Sequence, residues 1–219
     1  METIEFSTIT PDIVHIKMST KKELANALCR FQEHYESPFE EIKGKIFTLG
    51  QLRQLGSREN NGIWTYMGGN AHEPDWSGYN FPSYVLDPFF KGLFDPLTKY
   101  EQDIVEALRC KEGKYYVIGT FGDEDPDETL EHETCHAFFY LNDKYREQCI
   151  KAMDSYKKEL EPLRKYLLEI GYSEDVLEDE CHAYVSCDYE YVKENWHIEL
   201  PVKLHKQLRA IRKRHFPDI

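Results

Sequence analysis

Alternating apolar and polar positions in the first half of the chain predict β-structure. The alternation over Ile13–Met18 has the two-residue period of a strand with one buried face. The apolar run at residues 115–121, Tyr-Tyr-Val-Ile-Gly-Thr-Phe, predicts the best-defined strand of the chain. The same pattern predicts shorter strands at residues 45–47, 63–67 and 84–86. Because glycine, asparagine and proline separate these runs, an irregular antiparallel sheet with long loops is expected.

Capping boxes predict where two helices of this first half begin. Thr20-x-x-Glu23 and Thr98-x-x-Glu101 each place a hydroxyl three residues before a glutamate, so that each side chain can accept a hydrogen bond from a free helix N–H group. The first helix should end before Pro38, because the residue before a proline avoids the helical region. The second is expected to end near residue 110.

The second half of the chain has the periodicity of helices almost throughout. Asp125 followed by Pro126 is typical of a helix start, and it predicts a helix over Pro126–Leu141. Further helices are predicted at residues 144–160, 161–169 and 174–192.

The order of these elements predicts an α+β fold, with a mixed N-terminal half containing antiparallel strands and a mostly helical C-terminal half. A chain of 219 residues with 41% hydrophobic residues suits a single domain, residues 1–219. Within it, residues 1–113 can form a mixed N-terminal subdomain, and residues 114–219 form the helical catalytic part.

Charge and hydropathy exclude several classes of protein. The net charge of −13 argues against nucleic acid as a partner, since phosphate binding requires a basic surface. No apolar run has the length of a membrane span, and the start lacks a signal peptide, so a cytoplasmic protein is expected. In that reducing compartment the six cysteines should be thiols. Cys135 and Cys181 adjoin candidate site residues, and packing is a commoner role for such cysteines than a redox switch.

The one basic segment, residues 203–214, carries an apolar stripe of Leu204, Leu208 and Ile211. It can be an arm that binds RNA, a membrane or a partner. The stripe favours the simpler interpretation of a terminal helix that packs through its apolar positions and exposes its cations to solvent.

The candidate chemistry lies inside the predicted helix Pro126–Leu141, where His132-Glu133-Thr134-Cys135-His136 forms an H-E-x-x-H motif. Four residues advance a helix by about 400°, so both imidazoles leave the same face. They can therefore converge on one metal ion, and zinc is the expected cofactor. Glu133 is placed to act as the general base toward a water molecule that the metal activates.

This motif resembles that of the zincin metallopeptidases. The resemblance covers residues 115–192, and it implies that the strand at residues 115–121 is an edge strand that lies above the active-site helix and binds extended substrate. The metzincin form is excluded because it requires glycine and histidine where Phe139 and Asn142 stand. The gluzincin-like form remains, with a glutamate of a later helix as third ligand.

Glu180 is the favoured third ligand, because its helix face continues through small or aromatic residues that should point inward. His182, about 200° away around the helix, is the main alternative. The remaining alternatives are Glu178, Asp179 and Asp188.

A hydrolase also needs a donor that stabilises the oxyanion of the transition state. The candidates are Tyr184, Tyr189, Tyr191, His182 and His197, and we assign Tyr184 to this role. Gluzincins often carry an acidic residue four positions after the third ligand, where Tyr184 stands here. The hydrogen-bond acceptors that orient the motif histidines must then be other residues.

Three functions remain open. The first is a zinc-dependent metallopeptidase with a peptide or protein substrate. The second is a carboxylate-bridged di-metal helical protein, because Glu133-x-x-His136 and Asp179-x-x-His182 resemble the paired motifs of such sites. The third is a metal-stabilised or metal-free interaction protein without enzymatic activity. Neither the substrate preference nor the oligomeric state follows from the sequence.

Overall fold

A computed structural model describes residues 4–37, 39–58, 78–122 and 126–217 of the chain. The chain divides into two compact units, Met1–Thr129 and Leu130–Ile219, and we describe each by itself.

The first unit is built on a four-stranded mixed sheet. Its strands are β1 (Glu5–Thr10), β2 (Ile13–Met18), β3 (Tyr79–Pro82) and β4 (Tyr116–Phe121). The order across the sheet is β1-β2-β4-β3. The β1–β2 and β3–β4 pairs are antiparallel, whereas β2 and β4 are parallel. The strands predicted at residues 13–18 and 115–121 are thus β2 and β4.

The prediction that residues 115–121 form an edge strand is wrong. β4 pairs with β2 along its whole length and with β3 from Tyr116 to Gly119. Most of its backbone hydrogen-bonding groups are therefore already used within the sheet. From Tyr116 to Gly119 the strand has no free edge with which an extended peptide could pair, so strand addition there has no support.

Four α-helices of the described residues lie between β2 and β4 in the chain, and the first of them packs against the sheet. They are α1 (Lys21–Glu36), α2 (Leu49–Arg58), α3 (Asp87–Phe90) and α4 (Lys99–Leu108). Both predicted capping boxes are present, at Thr20 and Thr98. A Cβ atom on Gly119 of β4 would lie 2.1 Å from Cδ1 of Leu28, so glycine permits α1 to pack closely on the sheet.

A buried ion pair joins α1 to α4. The Arg30 guanidinium donates through Nε to one carboxylate oxygen of Glu101 at 2.6 Å and through Nη2 to the other. It also donates to the carbonyl oxygen of Phe94 at 3.0 Å. Both side chains are almost fully buried, and Glu101 additionally accepts the backbone N–H of Thr98. This pair ties the capping box of α4 to the core.

Helices make up the second unit. They are the C-terminal part of α5 (Pro126–Leu141), then α6 (Asp143–Asp154), α7 (Lys157–Glu169), α8 (Leu177–Ser186), α9 (Tyr189–Asn195) and α10 (Val202–His215). Helix α8 contacts α6, α7, α9 and α10. A mixed sheet followed by this helical half confirms the predicted α+β class.

Two helix boundaries differ from the prediction. The break expected near residue 160 lies at Ser155 and Tyr156, and Pro162 is accommodated in the second turn of α7. The single helix predicted for residues 174–192 is two helices, α8 and α9, separated by Cys187 and Asp188. Local propensity did not reveal this break, because the side chain of Asp188 binds a residue of another helix instead of capping its own.

Three smaller predictions concern the loop-rich part of the first unit. Residues 45–47 form no strand, and residues 84–86 belong to a 3₁₀ turn, Ser83–Leu86, that directly follows β3. The run at residues 63–67 and the cap at Asp125 lie outside the described residues.

The basic C-terminal helix α10 buries Leu204, Leu208 and Ile211, so the prediction that it packs through this stripe is confirmed. Among the residues that the structure describes, we find no helix with both the length and the apolarity that crossing a bilayer requires.

Candidate metal centre

The two histidines of the H-E-x-x-H motif converge on one point of the second unit. They lie one turn apart on α5, and their Nε2 atoms are 3.1 Å from each other. The side chain of His132 is 15% exposed, and that of His136 is 4% exposed. Two ring nitrogens this close must either share a proton or present lone pairs to a common cation.

Glu180 of α8 completes the cluster. Its Oε1 lies 3.7 Å from Nε2 of His136, and its Oε2 lies 4.0 Å from Nε2 of His132. One donor atom from each of the three residues lies within 4.8 Å of the others. Tetrahedral zinc with ligands at 2.0–2.1 Å requires donor atoms about 3.3 Å apart. The observed separations bracket that value, so small side-chain movements bring the donors to zinc-binding geometry.

Carboxylates hold the other nitrogen of each imidazole. Nδ1 of His132 is paired with Oδ2 of Asp188, and Nδ1 of His136 is 3.0 Å from Oδ1 of Asp179. A carboxylate on Nδ1 keeps the proton there, which leaves the lone pair of Nε2 directed at the cluster. The ring of His132 is therefore oriented as metal-binding histidines usually are, whereas Asp179 acts on His136 through its charge, since its Oδ1 accepts no hydrogen bond.

The charges of the cluster are poorly balanced by the side chains alone. Burial raises the pKa of Glu180 to about 7, in spite of the nearby histidines. Burial opposes protonation of His136, but Asp179 and Glu180 outweigh it and raise the pKa of that imidazole well above its usual value. In the same way, Asp188 outweighs burial and raises the pKa of His132. A buried group of three acids and two imidazoles attracts positive charge.

One buried oxygen of the three converging donor residues has no hydrogen-bond partner. Oε2 of Glu180 is inaccessible to solvent and accepts no hydrogen bond. A buried carboxylate oxygen without a partner is costly, and such atoms call for an explanation such as an ion. A cation between Glu180, His132 and His136 would supply that partner.

Glu133 is buried on α5 beside the cluster but is not one of the three converging donors. Its negative charge contributes to raising the pKa values of His132, His136 and Glu180. The carboxylate is thus within electrostatic reach of the point on which these donors converge. A base that acts on a bound water requires more, namely hydrogen-bond contact with that water.

Tyr184 of α8 packs its ring against His132, with the ring centroids 4.9 Å apart. Its hydroxyl is 3.2 Å from the hydroxyl of Tyr172, and its ring also contacts Trp196. Burial raises the pKa of Tyr184, which keeps the phenol protonated and able to donate at neutral pH.

The alternative ligand and the alternative oxyanion donors that the sequence suggested have other contacts. His182, the alternative ligand, places Nε2 2.7 Å from the hydroxyl of Tyr145 and stacks on Phe139. The hydroxyl of Tyr189 donates to the carbonyl oxygen of Leu200, and Tyr191 is half exposed. Among the described residues, the cluster of three donors contains none of them.

Sequence reasoning named Asp179 and Asp188 only as minor alternatives for the third ligand, whereas the structure pairs them with the Nδ1 atoms of the motif histidines. Asp179 directly precedes Glu180, and this adjacency is a signal that the sequence carries. Asp188 carries no comparable signal, because the helix break at Cys187 determines where its side chain points.

No family model, no curated protein and no solved structure matches this chain. The resemblance to zincins therefore rests on the H-E-x-x-H motif.

Proposed function

We propose that this protein is a mononuclear zinc hydrolase that cleaves amide bonds, with a peptide or protein as substrate. His132, His136 and Glu180 hold the zinc ion, and Glu133 is the general base. The observation that carries the proposal is the convergence of these three donors from two helices around a buried carboxylate oxygen that has no other partner.

The donor set favours zinc among the common cations. Two imidazoles and one carboxylate are the ligands of zinc sites that keep a fourth position open for water or substrate. Calcium and magnesium prefer six or more oxygen ligands, and the cluster offers only one carboxylate at the convergence point. One such cluster among the described residues also suits one ion per chain better than a carboxylate-bridged pair.

The chain's own residues supply the remaining functions. Zinc bound here supplies a Lewis acid that lowers the pKa of water and stabilises developing negative charge. Glu133 accepts the proton of the attacking water and returns it to the leaving amine. Asp188 keeps one imidazole oriented, and Asp179 acts on the other through its charge. Tyr184, supported by the hydroxyl of Tyr172, donates a hydrogen bond to the oxyanion.

Metal content tests the proposal directly. We expect elemental mass spectrometry of the purified protein to find about one zinc ion per chain, because three donors and their supporting carboxylates are already in place. The double variant His132→Ala, His136→Ala should bind none. The double variant His205→Ala, His215→Ala on α10 removes as many histidines and should keep the zinc.

Other outcomes would contradict the proposal. Absence of metal after reconstitution with zinc excludes a zinc hydrolase, and two ions per chain support the di-metal alternative instead. Circular dichroism of each variant establishes that loss of zinc reflects loss of ligands and not of folding.

A further prediction concerns Asp188. Replacing it with asparagine removes the charge that holds Nδ1 of His132, so we expect the affinity for zinc to fall by about 10- to 100-fold. Competition with a chromophoric chelator measures this affinity. Asp154→Asn, on the exposed surface of α6, is the matched control and should have no effect. An unchanged affinity in Asp188→Asn would show that this carboxylate does not support the site.

A further inference from the structure

Two cysteines from different helices meet beside the motif. Cys135 lies on α5, and Cys187 occupies the break between α8 and α9. Their Sγ atoms are 2.9 Å apart, only about 0.9 Å more than the length of a disulfide bond. Both are free thiols. The sequence suggested Cys135 and Cys181 as residues of interest, and the structure gives Cys135 a different neighbour.

An arginine and a glutamate lie beside this pair. Nη1 of Arg212 lies 3.7 Å from both Sγ atoms and is held by Glu131 at 2.6 Å. Residues of α5 and α10 thus hold the guanidinium against both sulfurs. The sulfur of Cys187 also contacts the backbone carbonyl oxygen of Glu131.

Access to the two sulfurs is unequal. Cys135 is fully buried, whereas Cys187 is partly exposed. A small oxidant therefore reaches Cys187 first, and Cys135 lies behind it as the second thiol. This arrangement, an accessible thiol next to a resolving thiol, is typical of cysteines that are reversibly oxidised.

We propose that Cys135 and Cys187 form a redox modification site that hydrogen peroxide closes to a disulfide. The sulfur of Cys187 attacks one peroxide oxygen, the O–O bond breaks, and a sulfenic acid and one water form. The sulfur of Cys135 then attacks the sulfenic sulfur, the S–S bond forms, and the S–O bond breaks with release of a second water. Two thiols thus lose two electrons and two protons to one peroxide.

The position of the bond links it to the candidate metal centre. Cys135 lies between the two motif histidines, and Cys187 directly precedes Asp188, which holds His132. A disulfide here ties α5 covalently to the residue before that aspartate. Neither sulfur is one of the three converging donors. The disulfide bond therefore leaves His132, His136 and Glu180 able to bind a metal ion. The proposal does not depend on zinc, and it is tested on protein treated with chelator.

The experiment uses the full chain with Cys110→Ser, which removes an exposed thiol. The protein is treated with hydrogen peroxide, quenched with catalase, denatured and alkylated with N-ethylmaleimide. We expect oxidised protein to take up two fewer maleimide groups, to have lost two hydrogens in mass, and to recover both after dithiothreitol. Peptide mapping should find residue 135 linked to residue 187.

Variants separate this pair from the other cysteines. Cys187→Ser should abolish the loss of maleimide uptake, and Cys135→Ser should leave a sulfenic acid that dimedone traps at Cys187. Cys181→Ser and Cys149→Ser are controls that should oxidise like the parent. A linkage to any other cysteine would overturn the proposal. So would full maleimide uptake at a peroxide dose that oxidises Cys110 in the unmodified chain.

Discussion

Replacing Glu133 with glutamine is expected to lower the rate of amide hydrolysis by about 100- to 10,000-fold and to leave the zinc content unchanged. Glutamine has the size of glutamate but cannot accept the proton of the attacking water. The three converging donors do not include Glu133, so the metal should remain bound. This combination separates a catalytic base from a ligand.

The substrate is not needed in advance for this measurement. A peptide mixture from a digested proteome is incubated with each zinc-loaded protein, and mass spectrometry counts the new termini. Glu128→Gln, an exposed glutamate of the same helix, is the matched control and should cleave like the parent. Equal cleavage by Glu133→Gln would exclude the residue as base. Loss of zinc in that variant would assign it a structural role.

If no peptide is cleaved by the zinc-loaded parent protein, amide hydrolysis is contradicted for this substrate class. The interpretation as a metal-stabilised protein without enzymatic activity then gains support. Zinc binding and catalysis are in this way tested by different observations.

Replacing Glu101 with alanine is expected to lower the free energy of unfolding by about 3–5 kcal/mol. The change leaves the charge of Arg30 buried without its carboxylate partner, and it also removes half of the capping box of α4. A typical domain has a stability of about 5–15 kcal/mol, so this single substitution should remove much of it. Urea unfolding followed by circular dichroism measures the effect.

The matched control for Glu101 is Asp103 on the same helix. Asp103 pairs with Lys99 at the surface, where the lysine side chain is 79% exposed, so Asp103→Ala should change stability by less than about 1 kcal/mol. The double variant Arg30→Met, Glu101→Leu should recover most of the lost stability, because it removes both buried charges. A small effect of Glu101→Ala alone would mean that water reaches Arg30.

Signals between residues close in the chain predicted most of the regular elements. Thr20 and Thr98 start helices because each capping box is complete within four residues. The alternation over Ile13–Met18 predicted β2 with its ends, since one face of that strand is buried.

Predictions were wrong where a contact distant in sequence decides the structure. The sequence of residues 115–121 does not indicate how many strands pair with this one. Pairing with β3 on one side and β2 on the other makes β4 an inner strand. The break between α8 and α9 likewise has no strong local signal, and the side chain of Asp188 at the break is directed to a histidine 56 residues earlier.

The candidate site likewise has features that local sequence predicts and features that depend on tertiary contacts. By itself, the sequence determined that His132 and His136 share one face of a helix, because the helical period alone requires it. Only the tertiary structure decided that Glu180, and not His182, faces these imidazoles, and that Asp179 and Asp188 hold their Nδ1 atoms. The physical reason is that packing of α8 against its neighbouring helices sets the rotation of that helix, and rotation determines which carboxylates reach the histidines.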